Sequence, residues 1–325
     1  MDALSLSVII PAYNAADTIG DALSALEKQT CRQPFEIVVV DDGSTDATRQ
    51  VVSAHPGVKY IFQANAGPAS ARNCGARKSS GQILLFTDAD CCPEREWLEK
   101  MLRGFEADNV AVVSGGYGIA NPESWLARVI HYEIKFRHRC LMPEFPRAFG
   151  SYNFAIRRDV FELVGGFNAQ YRRASGEDND LSYKVIRNGW RIRFLKDALV
   201  DHYHQADLGR YLKEQFRHGI WRARIYVDHP GMAAGDDYTF WKDIAEVPAV
   251  IVSLVLFVCM LPLYAIAFLA AIFMLEEGFG LRMMPSLPEG LTAGAVFLVR
   301  AYARAAGFLT GAGKFVIYIF MRKKI

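Results

Sequence analysis

The sequence predicts an α/β fold with a mostly parallel sheet, followed by C-terminal membrane helices, and three observations support this prediction. Short runs rich in valine and isoleucine alternate with helical stretches through most of the 325 residues. Polar residues gather where several of these runs end. Residues 247–275 then form 29 consecutive positions without a charged side chain. We therefore expect a soluble domain over residues 1–240 and a membrane-associated segment over residues 241–325.

The strand-like runs and the helices between them follow one another in a regular order. Strands are predicted at residues 7–11, 36–40, 58–62, 83–87 and 110–114. Helices are predicted at residues 18–29 and 45–54, with Ser44 and Thr45 as candidate N-caps of the second helix and Asp46 in its first turn. This alternation, with strands rich in β-branched residues, predicts a parallel sheet covered by helices on both faces.

The C-terminal region contains two apolar segments. A helix over residues 247–275 would be about 43 Å long, which exceeds the ~30 Å hydrocarbon core of a bilayer. We expect it to cross with a tilt or a kink at Pro262, and the alternative is a buried core helix. Residues 291–320 are apolar but carry Arg300, Arg304 and Lys314, so this segment is either a second span or an interfacial helix. Two spans would place the basic tail at residues 322–324 and the N-terminal domain on the cytoplasmic side of the cell (inner) membrane.

Composition and absent motifs exclude several classes of protein. The chain has 37 Lys and Arg against 35 Asp and Glu, a net charge of +2, so we expect no nucleic acid as partner. A hydrophobic fraction of 51% excludes disorder. The six cysteines include no C-x-x-C pair, and we expect them to be reduced thiols. There is no P-loop motif, and residues 116–121 lack the third glycine of a dinucleotide-binding fingerprint.

Four carboxylates and an aromatic ring follow the ends of three predicted strands, within residues 11–14, 41–44 and 87–90. The carboxyl ends of strands form the ligand-binding edge of an open α/β sheet, so we expect these groups to converge. Asp88 and Asp90 are two residues apart in an extended segment and would point the same way. Their hard oxygen ligands suit Mg²⁺ or Mn²⁺, and the alternative is a capped loop with two solvated acids.

Four sequence blocks carry a resemblance to a known family. They are SVIIPAYN at residues 7–14, VDDGSTD at 40–46, NAGPASARN at 65–73 and FTDAD at 86–90. In this order and spacing they resemble the family 2 glycosyltransferases, which are inverting enzymes with the Rossmann-like GT-A fold. The blocks GGFN at 165–168 and GEDNDL at 176–181 extend the resemblance, which covers residues 5 to 225.

The resemblance implies a nucleotide-diphosphate-sugar donor and assigns residues to it. Pro11, Tyr13, Asp41 and Asp42 would hold the base and ribose, Arg72 would contact the nucleotide or its diphosphate, and Asn153 would line the sugar pocket. Asp88 and Asp90 would hold a divalent metal, Mg²⁺ or Mn²⁺, on the diphosphate.

The same resemblance implies the acid–base groups. Asp178 would be the base that deprotonates the acceptor hydroxyl, with Glu177 orienting it or contacting the acceptor. The structural alternative for these acids is a favourable charge at a helix N-terminus. His202 would complete the metal site, with His204 as second choice and a purely structural histidine as the alternative.

The sequence therefore predicts a membrane-anchored, hexosyltransferase-type enzyme. It would transfer one sugar to a lipid-linked or polysaccharide acceptor at the cytoplasmic membrane face, with membrane lipids as further partners. Processive synthases of the family carry Q-x-x-R-W after the base, and residues 215–219 read QFRHG instead, which favours transfer of a single sugar. The alternatives are a processive polysaccharide synthase and a non-catalytic scaffold or sensor that binds nucleotide sugar.

Overall fold

The computed structural model describes residues 5–107, 109–171, 176–232, 237 and 241–322. Residues 323 and 324 of the basic tail lie outside this range. The chain divides into two compact units. The first comprises Met1–Asn121 and Met142–Tyr203, and the second comprises Pro122–Leu141 and His204–Ile325. These units describe compactness, and the predicted domain boundary at residue 240 stays a prediction.

The first unit is built on an eight-stranded mixed sheet, which confirms the predicted α/β fold. The strands are β1 Leu6–Ala12, β2 Phe35–Asp41, β3 Val58–Phe62, β4 Ile83–Thr87, β5 Cys91–Pro93, β6 Val110–Ile119, β7 Asn153–Arg157 and β8 Arg191–His202. Their order is β3-β2-β1-β4-β7-β6-β8-β5. The first four pair in parallel, as do β6 and β8, whereas β7 and β5 run antiparallel to their neighbours. All five predicted strands are present, and most are longer than expected.

The helices are α1 Ile19–Glu27, α2 Thr48–Ser53, α3 Pro68–Lys78, α4 Trp97–Arg103, α5 Trp125–Cys140, α6 Arg158–Leu163, α7 Glu177–Arg187, α8 Leu208–Asp228, α9 Trp241–Val258, α10 Pro262–Met283 and α11 Leu287–Arg322. The predicted N-caps of α2 are wrong, because α2 begins at Thr48. Ser44 is instead held in the turn after β2, where its N–H donates to Asp41 Oδ1 over 2.7 Å. Asp46 accepts from the Thr48 N–H over 3.0 Å at the start of the helix.

The core of the first unit lies against the middle of the sheet. Phe86 of β4 and Phe154 of β7 stack with ring centroids 4.8 Å apart, and both are fully buried. The Cβ of any larger residue at Gly75 of α3 would meet Ile9 of β1, so this helix lies close to the strand. Tight packing against β1 and β4 fixes the positions of the strand ends beyond them.

Strand register aligns the chemical groups along one edge of the sheet. Ala12 is paired with Asp41, and Thr87 is paired with Asn153. At the far end of the sheet Cys91 is paired with His202. The ends of β1, β2, β4 and β8, together with the start of β7, therefore lie along the same edge, as expected for an open α/β sheet.

The second unit is helical. The apolar stretch predicted over residues 247–275 is divided between α9 and α10, with a break at residues 259–261 where Met260 has a φ of +58°. Pro262 stands at the first position of α10, where its fixed φ suits a helix start. Among the described residues, Leu263–Met283 is long and apolar enough to cross a membrane, and the apolar part of α9, Ala245–Val258, is shorter.

The charged residues of the second apolar segment are paired inside the second unit. Arg304 of α11 donates to Asp243 of α9 over 2.8 Å, and Arg137 of α5 reaches the other oxygen of Asp243 over 2.7 Å. Arg300 of α11 is 1% exposed and lies 2.5 Å from Glu133. Such pairing explains how arginines are accommodated in an otherwise apolar helix.

Candidate active site

Asp41, at the end of β2, is fixed by two hydrogen bonds. Its Oδ1 accepts from the Ser44 N–H, and its Oδ2 accepts from the Tyr60 hydroxyl over 2.6 Å. Burial and the bond to Asp41 raise the pKa of Tyr60 to about 12, so Tyr60 remains a donor at neutral pH. Gly43 has a φ of +81°, and a Cβ there would lie 2.9 Å from the Asn65 nitrogen, so this turn requires glycine.

Asp42 holds the loop that starts α3. Its Oδ1 accepts from the Ala66 N–H over 2.9 Å and from Gln63 over 2.6 Å, and its Oδ2 accepts from the Gly67 N–H over 2.8 Å. The side chain is 4% exposed. Asp42 therefore positions the start of α3, and its predicted contact with the base or ribose stays a prediction.

A shallow cavity of about 270 Å³ lies beyond the ends of β2 and β3. Asp41, Arg49, Tyr60 and Phe62 are among its lining residues. Phe62 is 61% exposed, so its ring is open to contact with a planar ligand. Sequence reasoning missed Phe62 and Arg49, although an aromatic residue closing a strand at the ligand-binding edge is the signal that could have found Phe62.

The two other residues expected to hold the base and ribose belong to the end of β1. Pro11 is half-buried in the strand, and Tyr13 lies just beyond it with 54% of its surface exposed. An exposed tyrosine ring at this edge is available for stacking on a planar ligand.

Arg72 of α3 joins two acids that are 89 positions apart in sequence. Its Nη2 lies 2.7 Å from Asp88 Oδ1, and its Nη1 lies 3.0 Å from Glu177 Oε1. The guanidinium is 2% exposed and lies 5.4 Å from the centroid of the Phe167 ring. Burial lowers the pKa of Arg72, but the two carboxylates raise it by more, so Arg72 stays charged. The structure thus places Arg72 between the strand-end acid and the acids of α7, where it positions both.

Asp178 is the second residue of α7. Gly176, which precedes the helix with a φ of +124°, allows the sharp entry that brings Glu177 and Asp178 into the first turn. Burial, and after it the charge of Glu177, raise the pKa of Asp178 from 3.8 to about 7. A carboxylate whose pKa lies near neutrality is suited to accept a proton at physiological pH.

Asp90 and His202 meet because β5 folds back onto β8. Cys91 is opposite His202 in this antiparallel pair, and the Tyr203 N–H donates to the Asp90 carbonyl over 2.9 Å. His202 Nε2 lies 3.4 Å from Asp90 Oδ2. The Cys91 thiol is close by, and burial and neighbouring carboxylates raise its pKa. Because Mg²⁺ and Mn²⁺ favour hard ligands over sulfur, the carboxylate oxygen and the imidazole nitrogen are the donors best suited to such an ion.

Asn153 and His204, which were also predicted as site residues or alternatives, make contacts with other parts of the chain. Asn153 is fully buried, and its amide is used inside the sheet. Its Oδ1 accepts from the Trp97 indole over 2.8 Å, and its Nδ2 donates to the carbonyls of Gly116 and Ala198. The Asn153 amide therefore has a structural role in the sheet, and its predicted contact with a sugar stays a prediction. His204 belongs to the second unit, where its ring lies 5.8 Å from that of His131.

A sheet of this topology, with D-x-D at one strand end and a buried Arg72 bridge to the acids of α7, defines a transferase of the GT-A class. The sequence profile described as Glycosyl transferase family 2 matches residues 7–175, about half of the chain. The chain belongs to this family of glycosyltransferases, as its sequence blocks indicated.

Curated relatives and a solved structure agree with this assignment. The chain is 30% identical to glycosyltransferase AglE of Haloferax volcanii, over 68% of this chain and 74% of that protein. It is 28% identical to the O-antigen chain rhamnosyltransferase WbaN of Salmonella anatum, over 73% and 79%. The mannosyltransferase PcManGT of Pyrobaculum calidifontis, solved with GDP-Man and Mn²⁺, has the same fold, with a TM-score of 0.59, 22% identity, and coverage of 92% and 86%. For other curated relatives the match spans about half of their length.

Proposed function

We propose that this enzyme transfers a single sugar, with inversion, from a nucleotide-diphosphate-sugar to a lipid-linked or polysaccharide acceptor at the cytoplasmic face of a membrane. The observation that carries the proposal is the Arg72 bridge. It joins Asp88, on the donor side of the sheet edge, to Glu177, the neighbour of the candidate base Asp178. The bridge therefore connects the residue expected on the donor side to the residue next to the candidate base, which would hold the two reacting partners in a fixed relation.

The donor nucleotide would bind at the cavity beyond β2 and β3. Asp41 forms part of the wall, and the exposed ring of Phe62 offers an apolar face to a base. The exposed ring of Tyr13, beyond the end of β1, would be a second stacking surface. Arg49 also lines the cavity and would supply a positive charge. PcManGT was solved with GDP-Man, which supports a nucleotide-sugar donor here without identifying the sugar.

Asp178 would act as the general base. In direct displacement the acceptor hydroxyl gives its proton to the Asp178 carboxylate while its oxygen forms a bond to the anomeric carbon. The bond between that carbon and the diphosphate oxygen breaks, and the nucleoside diphosphate leaves. Glu177 is 1% exposed and bound to Arg72, so its contribution is the negative charge that raises the pKa of Asp178.

Asp90 and His202 would hold a divalent metal ion, with Asp88 beside them. This donor set fits Mn²⁺ or Mg²⁺, and PcManGT was solved with Mn²⁺. When bound, the ion would stabilise negative charge on the departing diphosphate. Asp88 itself keeps one oxygen on Arg72, which fixes the direction of its other oxygen.

The acceptor is inferred from the second unit and from a relative. WbaN is named as an O-antigen chain rhamnosyltransferase, which supports a saccharide acceptor. The apolar helices α9 and α10 expose many large hydrophobic side chains, which supports action at a membrane surface.

A donor screen tests the proposal. Membranes containing the full chain would be supplied with a panel of nucleotide sugars and Mn²⁺, Mg²⁺ or EDTA, and release of nucleotide and sugar-labelled lipid would be measured. We expect at least one donor to give metal-dependent release that Asp178→Asn abolishes. Binding of a donor without any release beyond that of Asp178→Asn would favour a sensor or scaffold and overturn the transferase mechanism.

A further inference from the structure

The hydroxyl of Ser182, one turn along α7 from Asp178, is both a donor and an acceptor. It donates to the Asp178 carbonyl over 2.7 Å and accepts from the Phe149 N–H over 3.1 Å. We propose that Ser182 is a positioning residue for Asp178, because its hydroxyl holds the segment 149–151 against the first turn of α7. This inference rests on the proposed function, in which Asp178 is the general base, and adds the contact that places this base.

The two hydrogen bonds of the Ser182 hydroxyl differ in kind. A serine inside a helix commonly donates to the carbonyl four residues earlier, and that bond stays within the helix. The second bond leaves the helix, because Phe149 lies 33 positions earlier in the chain. Ser182 and Phe149 are both buried, so without the hydroxyl the Phe149 N–H would lose its partner and gain no water in exchange. We therefore expect the segment 149–151 to move when the hydroxyl is removed.

The segment 149–151 leads directly into the sheet edge. Strand β7 begins at Asn153, beside the end of β4. Tyr152 stacks on Tyr117 of β6 with ring centroids 3.5 Å apart. The sheet thus fixes one end of the segment, and the bond to Ser182 fixes the other end to α7. Through these two attachments, the position of α7 is tied to the strand ends where the donor would bind.

The same segment contacts the Asp178 carboxylate. Burial and the charge of Glu177 raise the pKa of Asp178 to about 7, whereas the Ser151 N–H donates to the carboxylate and lowers this pKa in part. A backbone N–H in this position favours the charged form of a carboxylate. The charged groups that face Asp178 from the described residues are Glu177 on its own helix and Arg72 of α3. Replacing Ser182 by alanine changes neither charge, so its effect on Asp178 would report the position of the segment.

A thermal-unfolding cycle on the full chain in mild detergent tests the proposal. The wild type, Ser182→Ala, Asp178→Asn and the double variant would be compared at pH 5 and pH 8. Loss of the Ser151 N–H should raise the pKa of Asp178 by about one further pH unit. Because the folded pKa is already above that of the unfolded chain, this rise lowers stability at pH 8 and leaves it nearly unchanged at pH 5. We expect Ser182→Ala to lower Tm by about 2 °C more at pH 8 than at pH 5, and equally at both pH values in the Asp178→Asn background.

Ser114→Ala is the matched control, and enzyme kinetics provide a second measurement. Ser114 of β6 is also buried, and within the described part of the chain its hydroxyl has no hydrogen-bond partner. Its replacement should cause no pH-dependent loss of Tm and leave nucleotide release unchanged. With an active donor, Ser182→Ala should lower kcat roughly tenfold or more and change the KM for the donor by less than about twofold, because a misplaced base affects the chemical step. An unchanged kcat would overturn the proposal.

Two results of the unfolding cycle would overturn the proposal. An equal loss of Tm at both pH values in both backgrounds would mean that Ser182 only stabilises the fold. A smaller loss at pH 8 than at pH 5 would mean that the segment excludes water from Asp178 rather than donating to it.

A second variant keeps the test decisive if Ser182→Ala does not fold. A Cβ at Gly150 would overlap the Tyr152 ring, so Gly150→Ala shifts the same segment and leaves the Ser182 hydroxyl in place. A loss of Tm that grows with pH would support the proposal, and a pH-independent loss would overturn it. The unfolding cycle needs no substrate. The absence of transfer with every donor would therefore refute the proposed function, while the Tm comparison would still decide whether Ser182 positions Asp178.

Discussion

Replacing Asp178 by asparagine is expected to remove transfer and, at alkaline pH, to make the protein more stable. Burial and Glu177 raise the pKa of Asp178 from 3.8 to about 7 in the folded chain. Between these two values the folded state keeps a proton that the unfolded chain has lost. The stability of the wild type therefore falls as pH rises through this window. The Asp178→Asn variant has no titrating group at this position, so its stability lacks this pH dependence.

The size of the effect follows from the same pKa values. At 1.36 kcal/mol per pKa unit, the difference between 3.8 and about 7 corresponds to about 4 kcal/mol above pH 7. Asp178 is partly exposed, so solvent screening makes this an upper limit. The variant should match the wild type near pH 4 and exceed it by several degrees in Tm at pH 8. The loss of a general base should lower kcat by 10²–10⁴-fold.

The assay is thermal unfolding of the full chain in mild detergent from pH 4 to 9, beside nucleotide release at saturating donor. Asp180→Asn is the matched control, because Asp180 is ion-paired with Lys184 over 2.6 Å and its replacement should lower Tm. A pH-independent Tm difference between Asp178→Asn and the wild type would refute the assigned pKa. Residual transfer above a tenth of wild type would refute the assignment of the base.

Three further predictions concern other parts of the chain. Arg72→Met leaves the two carboxylates that Arg72 bridges without their cationic partner. We therefore expect the free energy of unfolding, measured in urea, to fall by about 3 kcal/mol, and kcat to fall as well. An unchanged free energy of unfolding would mean that the bridge is weak. Asp90→Asn and His202→Ala should each raise the Mn²⁺ concentration for half-maximal nucleotide release at least tenfold, and an unchanged metal titration would remove them from the metal site. Gly307→Leu places a side chain against the Phe216 carbonyl of α8 and should lower Tm by several degrees. Gly313→Leu has open space around it and should not lower Tm, because leucine favours a helix more than glycine does. Equal losses of Tm would contradict the close helix contact.

The parts of the fold that could be predicted are those set by local pattern. The runs at 7–11 and 83–87 are strands because they are continuous apolar segments bounded by polar residues, and both proved to be central and buried. The N-cap prediction at Ser44 failed because the residue serves the turn after β2, and composition does not distinguish the two uses. For residues 247–275 the sequence predicted one helix with a tilt or a kink at Pro262, whereas the structure has two helices, and their reversal depends on packing with α11.

The candidate site shows the same limit. The acids of the D-x-D and of residues 177 and 178 stand out in sequence, yet nothing local says that Arg72 joins them, since its partners lie 16 and 105 positions away. The pairing of β5 with β8 brings His202 to Asp90. The register between strands so far apart in sequence cannot be predicted from either strand alone. The same limit applies to Asn153, because nothing in its own segment indicates that Trp97 and two backbone carbonyls contact its amide, and its predicted place in the sugar pocket stays a prediction.

The contacts of Asp42 have a consequence for how the enzyme would respond to its donor. Asp42 accepts hydrogen bonds from the N–H groups of residues 66 and 67 and thereby fixes the start of α3. Four residues after that start, Arg72 forms ion pairs with Asp88 and Glu177. Asp42 and Arg72 are thus connected through one helix. Any shift of the loop at residues 66 and 67 on donor binding would therefore move Arg72, and with it both of these acids.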